Sequence, residues 1–248
     1  MNPKGLLVDL DGTLHVGDEP VEGAREAIER LLAAGLAIRY VTNTTRKPRR
    51  EVVTLLNQMG FPAHEEHVFT PAAAAAATLR GRKVHALVAE PLREDLSGLT
   101  LTYRQPDYVL VGDLGTGFTY ERLDVAFGKL MEGAELVALQ KNRYWQKESG
   151  PSLDAGPFVA ALEYASGKEA TVVGKPERAF FEAALHELGL ETGEVAMVGD
   201  DAEADVAGAK AAGLLGIQVR TGKYRPGEAT DADLVVESFA KLPEALGL

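Results

Sequence analysis

Short apolar runs without polar alternation, each followed by a stretch of helical periodicity, restrict this chain to one broad architecture. A strand with one wet face alternates apolar and polar residues; a strand buried on both faces does not, and that occurs in parallel sheets covered by helices. Residues 5–10 (GLLVDL) and 36–41 (LAIRYV) are such runs. After the first, Val21, Ala24, Ile28, Leu31 and Leu32 recur at helical spacing, and Gly35 stands where the helix should close. After the second, Val52, Leu55, Leu56 and Met59 repeat the pattern up to Gly60. Further on, residues 171–174, 195–198 and 216–219 read as strands. Phe180, Phe181, Ala184, Leu185 and Leu188 mark one intervening helix and residues 203–212 another, with 234–236 as a last edge strand. The pattern predicts an α/β fold on a mostly parallel sheet.

The middle of the chain has elements of its own. Strands are expected at 84–89, 108–111 and 136–139 and helices over 120–131 and 157–165, and the alanine run Ala72–Ala77 should be helical. This segment either extends the same sheet or forms a smaller inserted α/β domain. The second reading is favoured, because the residues with chemical promise lie outside it. The expected division is a core of residues 1–77 plus 171–248 and an insert of residues 78–170.

Composition narrows the function. The chain has 248 residues, 46% of them apolar and 25% charged, which suits a folded globular protein with a sizeable core. Lys and Arg number 26 against 37 Asp and Glu, a net charge of −11. Bulk attraction to nucleic acid or to an anionic membrane is therefore not expected. The absence of cysteine excludes disulfides, thiolate catalysis and Cys-ligated zinc, and fits a reducing compartment. With no signal-peptide pattern and no apolar run near the ~18 residues of a membrane span, a cytoplasmic location is expected.

Four strand ends collect polar chemistry, and ligands of open α/β sheets bind beyond the carboxyl ends of strands. Asp9 and Asp11 are two apart, so on an extended segment both would face one site while Leu10 packs inward, with Gly12 permitting a tight exit. Two carboxylates so placed repel unless a cation or proton intervenes. Thr42, Asn43, Thr44 and Thr45 follow the second strand and offer hydroxyls, an amide and free N–H groups to an anion, although plain N-capping also explains them. Lys175 lies between Gly174 and Pro176, a proline suited to a first helical turn. Asp200 and Asp201 follow the strand 195–198, and Asp205 can look back from the next helix, where an acidic residue also serves as a cap. Asp9, Asp11 and Asp200 together supply hard oxygen donors of the kind Mg²⁺ takes.

The ordered set Asp9-x-Asp11-Gly12-Thr13, Thr42-Asn43, Lys175, Gly199-Asp200-Asp201-x-x-x-Asp205 resembles the haloacid dehalogenase superfamily of phosphohydrolases, with VTNTT, VVGKPE, MVGDDAEADV and TGKYRPGE adding to the likeness. The resemblance spans essentially the whole chain. It implies a Rossmann-like, doubly wound parallel-sheet core with an inserted α/β cap of the class IIA type. It also implies a Mg²⁺-dependent phosphatase of small phosphorylated metabolites, working through an aspartyl-phosphate. In that scheme Asp9 is the nucleophile, and Asp11 protonates the leaving oxygen and later activates water. Thr42, Asn43 and Lys175 hold the phosphoryl group. Asp9, Asp200 and the backbone carbonyl of Asp11 bind the metal, with Asp201 and Asp205 orienting its shell. Attack of a carboxylate on a phosphate dianion must overcome on the order of 8 kcal/mol for two charge pairs at about 4 Å and an effective dielectric constant of ~20, so the metal and Lys175 are the counterweights. Asp11 favours a phosphatase over a dehalogenase, whose carbon–halogen bond needs no leaving-group proton. A cap of this class also makes a homodimer an expected partner state.

Two other functions compete. A phosphate-accepting signalling module also pairs acids at its first strand, but carries its acceptor on a later strand and its lysine last, whereas Lys175 precedes Asp200. A catalytically silent protein that binds a partner through its cap is the other alternative. His64-Glu65-Glu66-His67 puts its second histidine one residue short of the spacing that a helical zinc site needs and reads as a solvated turn. Asp113 follows a strand but falls in the insert, where a structural role is expected. Tyr144, Trp145 and the turn 154–157 are guesses for a cap surface toward substrate.

Overall fold

The computed structural model describes residues 1–147, 150–227 and 230–248. The chain divides into two compact units: Met1–Thr42, Arg49–Phe69 and Lys175–Leu248 form one, and Asn43–Pro48 and Thr70–Gly174 the other.

The first unit is built on six parallel strands: β1 (Gly5–Asp9), β2 (Ala37–Val41), β3 (Val68–Phe69), β4 (Val195–Gly199), β5 (Leu215–Val219) and β6 (Leu234–Val236). Their spatial order is β6-β5-β4-β1-β2-β3. The chain proceeds outward from β1 to β2 and β3, then returns to the other side of β1 as β4. That reversal is the topological switch point of a doubly wound sheet, the place beyond the strand ends where open α/β sheets bind ligands. Every residue of β1 and β4 is buried, which is why neither segment alternates in sequence. On one face, Leu6, Val8, Ile38 and Tyr40 pack with Ile28 and Leu31 of α1 (Ala24–Ala33) and Val52 and Leu56 of α2 (Arg49–Gln58). On the other, Arg39 donates to the Glu187 carbonyl of α3 (Arg178–Leu188) at 2.9 Å, and Phe180 meets Phe69 with ring centroids 5.1 Å apart. Each fully buried aliphatic or phenyl side chain contributes about 1.5–3 kcal/mol, so this two-sided burial holds the strand ends in register.

The second unit has its own five-stranded parallel sheet, in the order Thr171–Val172, Glu135–Ala138, Tyr108–Val111, Lys83–Leu87, Thr100–Leu101. Val109, Val111 and Leu136 pack with Leu130 of the helix Tyr120–Met131 and with Val159 and Leu162 of the helix Gly156–Ser166. The alanine run is helical within Pro71–Thr78, capped by Thr70, whose hydroxyl accepts from the Ala73 N–H at 3.2 Å.

The expected division at 78 and 171 is corrected at both ends. The alanine helix packs on the segment Glu90–Leu96 and so belongs to the second unit. Thr171–Val172, read as a core strand, pairs instead with Glu135–Ala138 of the smaller sheet. Residues 43–48 also join the second unit, because the Asp113 N–H donates to Thr45 Oγ1 at 2.9 Å and Arg46 Nε lies 3.1 Å from the Asp113 carboxylate. Helix α3 starts at Arg178, not at Pro176, and the Lys175–Pro176 peptide is cis. Among the described residues, no helix is long and apolar enough to cross a membrane.

Candidate active site

Asp9 ends β1, and Asp200 follows the last residue of β4, the two strands that flank the switch point. Their pairing runs from Gly5 with Val195 to Val8 with Val198, so the two acids leave adjacent strands at nearly the same level. Asp205 projects back from the helical turns Ala202–Ala207 that follow. Among the described residues, Asp9, Asp200 and Asp205 form an acidic group whose nearest donor oxygens lie within 4.8 Å of one another. Lys175 enters the same place. Its Nζ donates to Asp9 Oδ1 at 2.5 Å and to Asp205 Oδ1 at 2.6 Å. Residues 9 and 175 are remote in sequence; only the fold brings them together.

All four side chains are buried: Asp9 is 7% exposed, Lys175 4%, Asp200 2% and Asp205 1%. Burial therefore dominates their electrostatics. It pushes the Asp9 carboxyl up against the opposing pull of Lys175, and the nearby Asp200 adds to the rise. Burial, with help from Asp205, pushes Asp200 up to about 6. Asp205 also goes up to about 6 through burial, which Lys175 opposes and Asp9 reinforces. For Lys175 burial acts downward, but Asp205 and Asp9 outweigh it and hold the ammonium charged far above neutrality. Three carboxylates and one ammonium leave two negative charges when all are ionised. Hard oxygen donors with that residual charge fit a small divalent cation such as Mg²⁺.

The oxygens are not equally available. Asp205 gives Oδ1 to Lys175 and Oδ2 to the Asp201 N–H at 3.1 Å, so it orients its neighbours. Asp200 gives Oδ2 to the Lys223 N–H at 2.6 Å. Asp201 caps the following helix by accepting from the N–H groups of Glu203 and Ala204 at 3.1 and 2.9 Å, and its other oxygen pairs with Lys223 Nζ at 2.9 Å. Gly12 has φ +88°, and a Cβ there would stand 2.1 Å from Asp200 Oδ2, so the first turn closes directly onto the second acid.

One sequence expectation is corrected here. The extended segment expected to carry both Asp9 and Asp11 stops short of Asp11, whose side chain is 79% exposed, with Oδ1 3.9 Å from His15 Nδ1. The strand ends at Asp9, and the Leu10 carbonyl accepts from the N–H groups of Thr13, Leu14 and His15, so the chain turns before period-two alternation can continue. Thr42 follows β2 in the first unit and its N–H donates to the Phe69 carbonyl at 3.3 Å. Asn43 falls in the second unit, where its Oδ1 lies 2.9 Å from the place of a Cβ on Gly174.

Elsewhere the bland readings hold. His64 and His67 pair with each other, the His64 N–H donating to His67 Nδ1 at 3.3 Å. Asp113 is buried against Arg46 and accepts from the Gly115 N–H at 2.8 Å, a structural arrangement. Asp154 accepts from Gln140 Nε2 at 2.5 Å and from the Ala155 N–H at 2.7 Å, and Tyr144 is exposed. The Trp145 side chain, and Glu228 at the end of TGKYRPGE, lie outside the described residues. Sequence reasoning gave Lys223 no role. Its signal was available, since TGKY begins one residue after the strand read at 216–219, and strand ends are where the other candidate residues were found.

Comparison with known proteins gives a consistent result. The family profile described as haloacid dehalogenase-like hydrolase matches residues 6–102, and a second, HAD-hydrolase-like, matches residues 172–242. Haloacid dehalogenase-like hydrolase domain-containing protein 2 of Homo sapiens is 43% identical over 242 residues, covering 95% of this chain and 93% of that protein. Phospholysine phosphohistidine inorganic pyrophosphate phosphatase of Bos taurus is 40% identical over 254 residues, covering 99% and 93%. The solved structure of p-nitrophenyl phosphatase from Archaeoglobus fulgidus superposes with a TM-score of 0.93 at 28% identity, over 99% of this chain and 100% of that one.

Proposed function

The chain belongs to the haloacid dehalogenase-like hydrolases and is a phosphoric monoester hydrolase; from that premise we propose a Mg²⁺-dependent phosphatase of small phosphorylated metabolites that works through an aspartyl-phosphate on Asp9. The observation that carries the reading is the buried Lys175 ammonium held between Asp9 and Asp205, with Asp200 in the same group at the switch point.

Asp9 attacks phosphorus through a carboxylate oxygen, and the bond from phosphorus to the leaving oxygen breaks. Lys175 opposes the burial that pushes Asp9 up, holds its carboxylate in place and offsets charge on the phosphoryl oxygens. Thr42 and the Asn43 backbone are the proposed phosphoryl donors. Asp11, exposed on its turn, gives its proton to the leaving oxygen and then takes one from the water that hydrolyses the intermediate. Asp9, Asp200 and the Asp11 carbonyl would hold the metal, while Asp205 and Asp201 orient those ligands. When bound, Mg²⁺ supplies the positive charge that lets two anions approach. The second unit is proposed to act as the cap that selects substrate.

A screen of phosphate release over sugar phosphates, nucleotides, phospho-amino acids and small acid phosphates tests this. Steady, EDTA-sensitive, multiple-turnover release that is abolished in Asp9→Asn is the expected result. One equivalent of protein-bound phosphate without turnover would instead assign a phosphate-accepting module. No release from any substrate with Mg²⁺ present would leave a catalytically silent binding protein.

A further inference from the structure

The turn after β5 touches the acidic group without a place in the chemistry above. Gly222 has φ +57°, and a Cβ on it would stand 2.1 Å from Asp200 Oδ2 and 2.5 Å from the Gly12 Cα. A Cβ on Gly12 would meet the same Oδ2 at the same 2.1 Å. The Asp200 carboxylate therefore lies between two glycine α-carbons, each in a left-handed conformation that L side chains rarely adopt. The turn is tied to both walls of this cradle. The Lys223 N–H donates to Asp200 Oδ2 at 2.6 Å, and the Thr221 hydroxyl donates to the Gly12 carbonyl. At the end of β5, Gln218 is 1% exposed, and its Nε2 donates to the Asp200 carbonyl at 3.3 Å. Its Oε1 is buried and has no partner among the described residues. A buried unpaired acceptor is unfavourable, and packing alone would be better served by an apolar side chain there.

We propose that Gln218 and the turn Thr221-Gly222-Lys223 are positioning residues for Asp200: they fix the orientation of its carboxylate against the Gly12 turn and so preset the divalent-cation site. The inference rests on the proposed Mg²⁺ site. Groups that orient a metal ligand typically set affinity by about 10–100-fold. The contribution should therefore appear in cation binding, independently of turnover.

The test is calorimetric titration of Mg²⁺ into the full-length protein, with the thermal midpoint of the metal-free form measured alongside. Gly222→Ala should raise the Mg²⁺ dissociation constant about tenfold or more, because its Cβ displaces the carboxylate. Thr221→Val, close to isosteric, should raise it about fivefold, the worth of one ordinary hydrogen bond, with little change in midpoint. Lys223→Ala keeps the backbone N–H and should shift affinity less than either. Where Gly222→Ala does not fold, Thr221→Val and Gln218→Leu carry the test. Unchanged Mg²⁺ affinity in the folded variants overturns the inference, as does a Lys223→Ala loss equal to that of Gly222→Ala, which would make the side chain the agent. If the parent protein takes up no Mg²⁺, the metal-site reading itself fails and this inference falls with it; a parent that binds beside variants that match it defeats the inference alone.

Discussion

Replacing Lys175 with methionine keeps most of the side chain's length and removes its charge. In the native protein that ammonium, 4% exposed, bonds Asp9 at 2.5 Å and Asp205 at 2.6 Å. Removing one partner of a buried pair leaves uncompensated charge and typically costs about 3–5 kcal/mol. Two carboxylates are orphaned here, but they need not stay charged: burial already pushes Asp205 up to about 6, and it pushes Asp9 up as well. Without Lys175 their protonation extends to still higher pH, so the loss depends on pH. The lysine, held charged well above its ordinary value, contributes its full stabilisation below the unfolded value of 10.5 and loses it only as pH climbs through the folded one. At pH 8 the pairs are therefore intact in the parent and the variant should lose about 3–5 kcal/mol. At pH 5 the variant can neutralise its orphaned acids with protons, and the loss should shrink. Urea unfolding of both proteins, metal-free, at the two pH values measures it. A loss under about 1 kcal/mol at pH 8, or an equal loss at both, would refute the claim that desolvated charge governs this site.

Four further outcomes are expected. Asp9→Asn should abolish phosphate release in a protein that still folds, and Asp11→Asn should slow substrates with basic alcohol leaving groups far more than 4-nitrophenyl phosphate, read as the ratio of kcat/KM values. Asp200 rises from 3.8 to about 6 on folding, so the folded protein holds that proton more tightly and loses stability as pH climbs across this window. At about 1.4 kcal/mol for each pH unit this amounts to about 3 kcal/mol, and cation binding removes the cost, so Mg²⁺ should raise the thermal midpoint more at pH 7.5 than at pH 5. Gly12→Ala combines φ +88° with a Cβ 2.1 Å from Asp200 Oδ2; it should destabilise by more than about 1 kcal/mol and impair Mg²⁺ uptake, checked by denaturation and titration.

Much of the fold was legible because its signals are local. The unalternated runs at β1 and β4 announced strands buried on both faces, and the helix Tyr120–Met131 was expected at the bounds it has. Asp9, Lys175 and Asp200, which the fold brings together, were legible as candidates because each lies at the carboxyl end of a strand or close after one. Asp11 shows the limit of that reasoning: alternation predicts a direction only while the strand lasts, and the Leu10 carbonyl ends it. Thr171–Val172 shows another, since a short apolar strand does not state which of two parallel sheets it will join.

The amino-acid order alone determined the class of architecture and the chemical kinds of side chain at the strand ends, because periodicity and terminal residue types act over a few residues. Only the folded chain decided that β4 lies beside β1, that both oxygens of Asp205 are occupied, and that the turn at Gly222 presses on Asp200. Those are pairings across long stretches of chain, set by the summed burial of two sheet faces and by backbone close approach, and no local pattern records either.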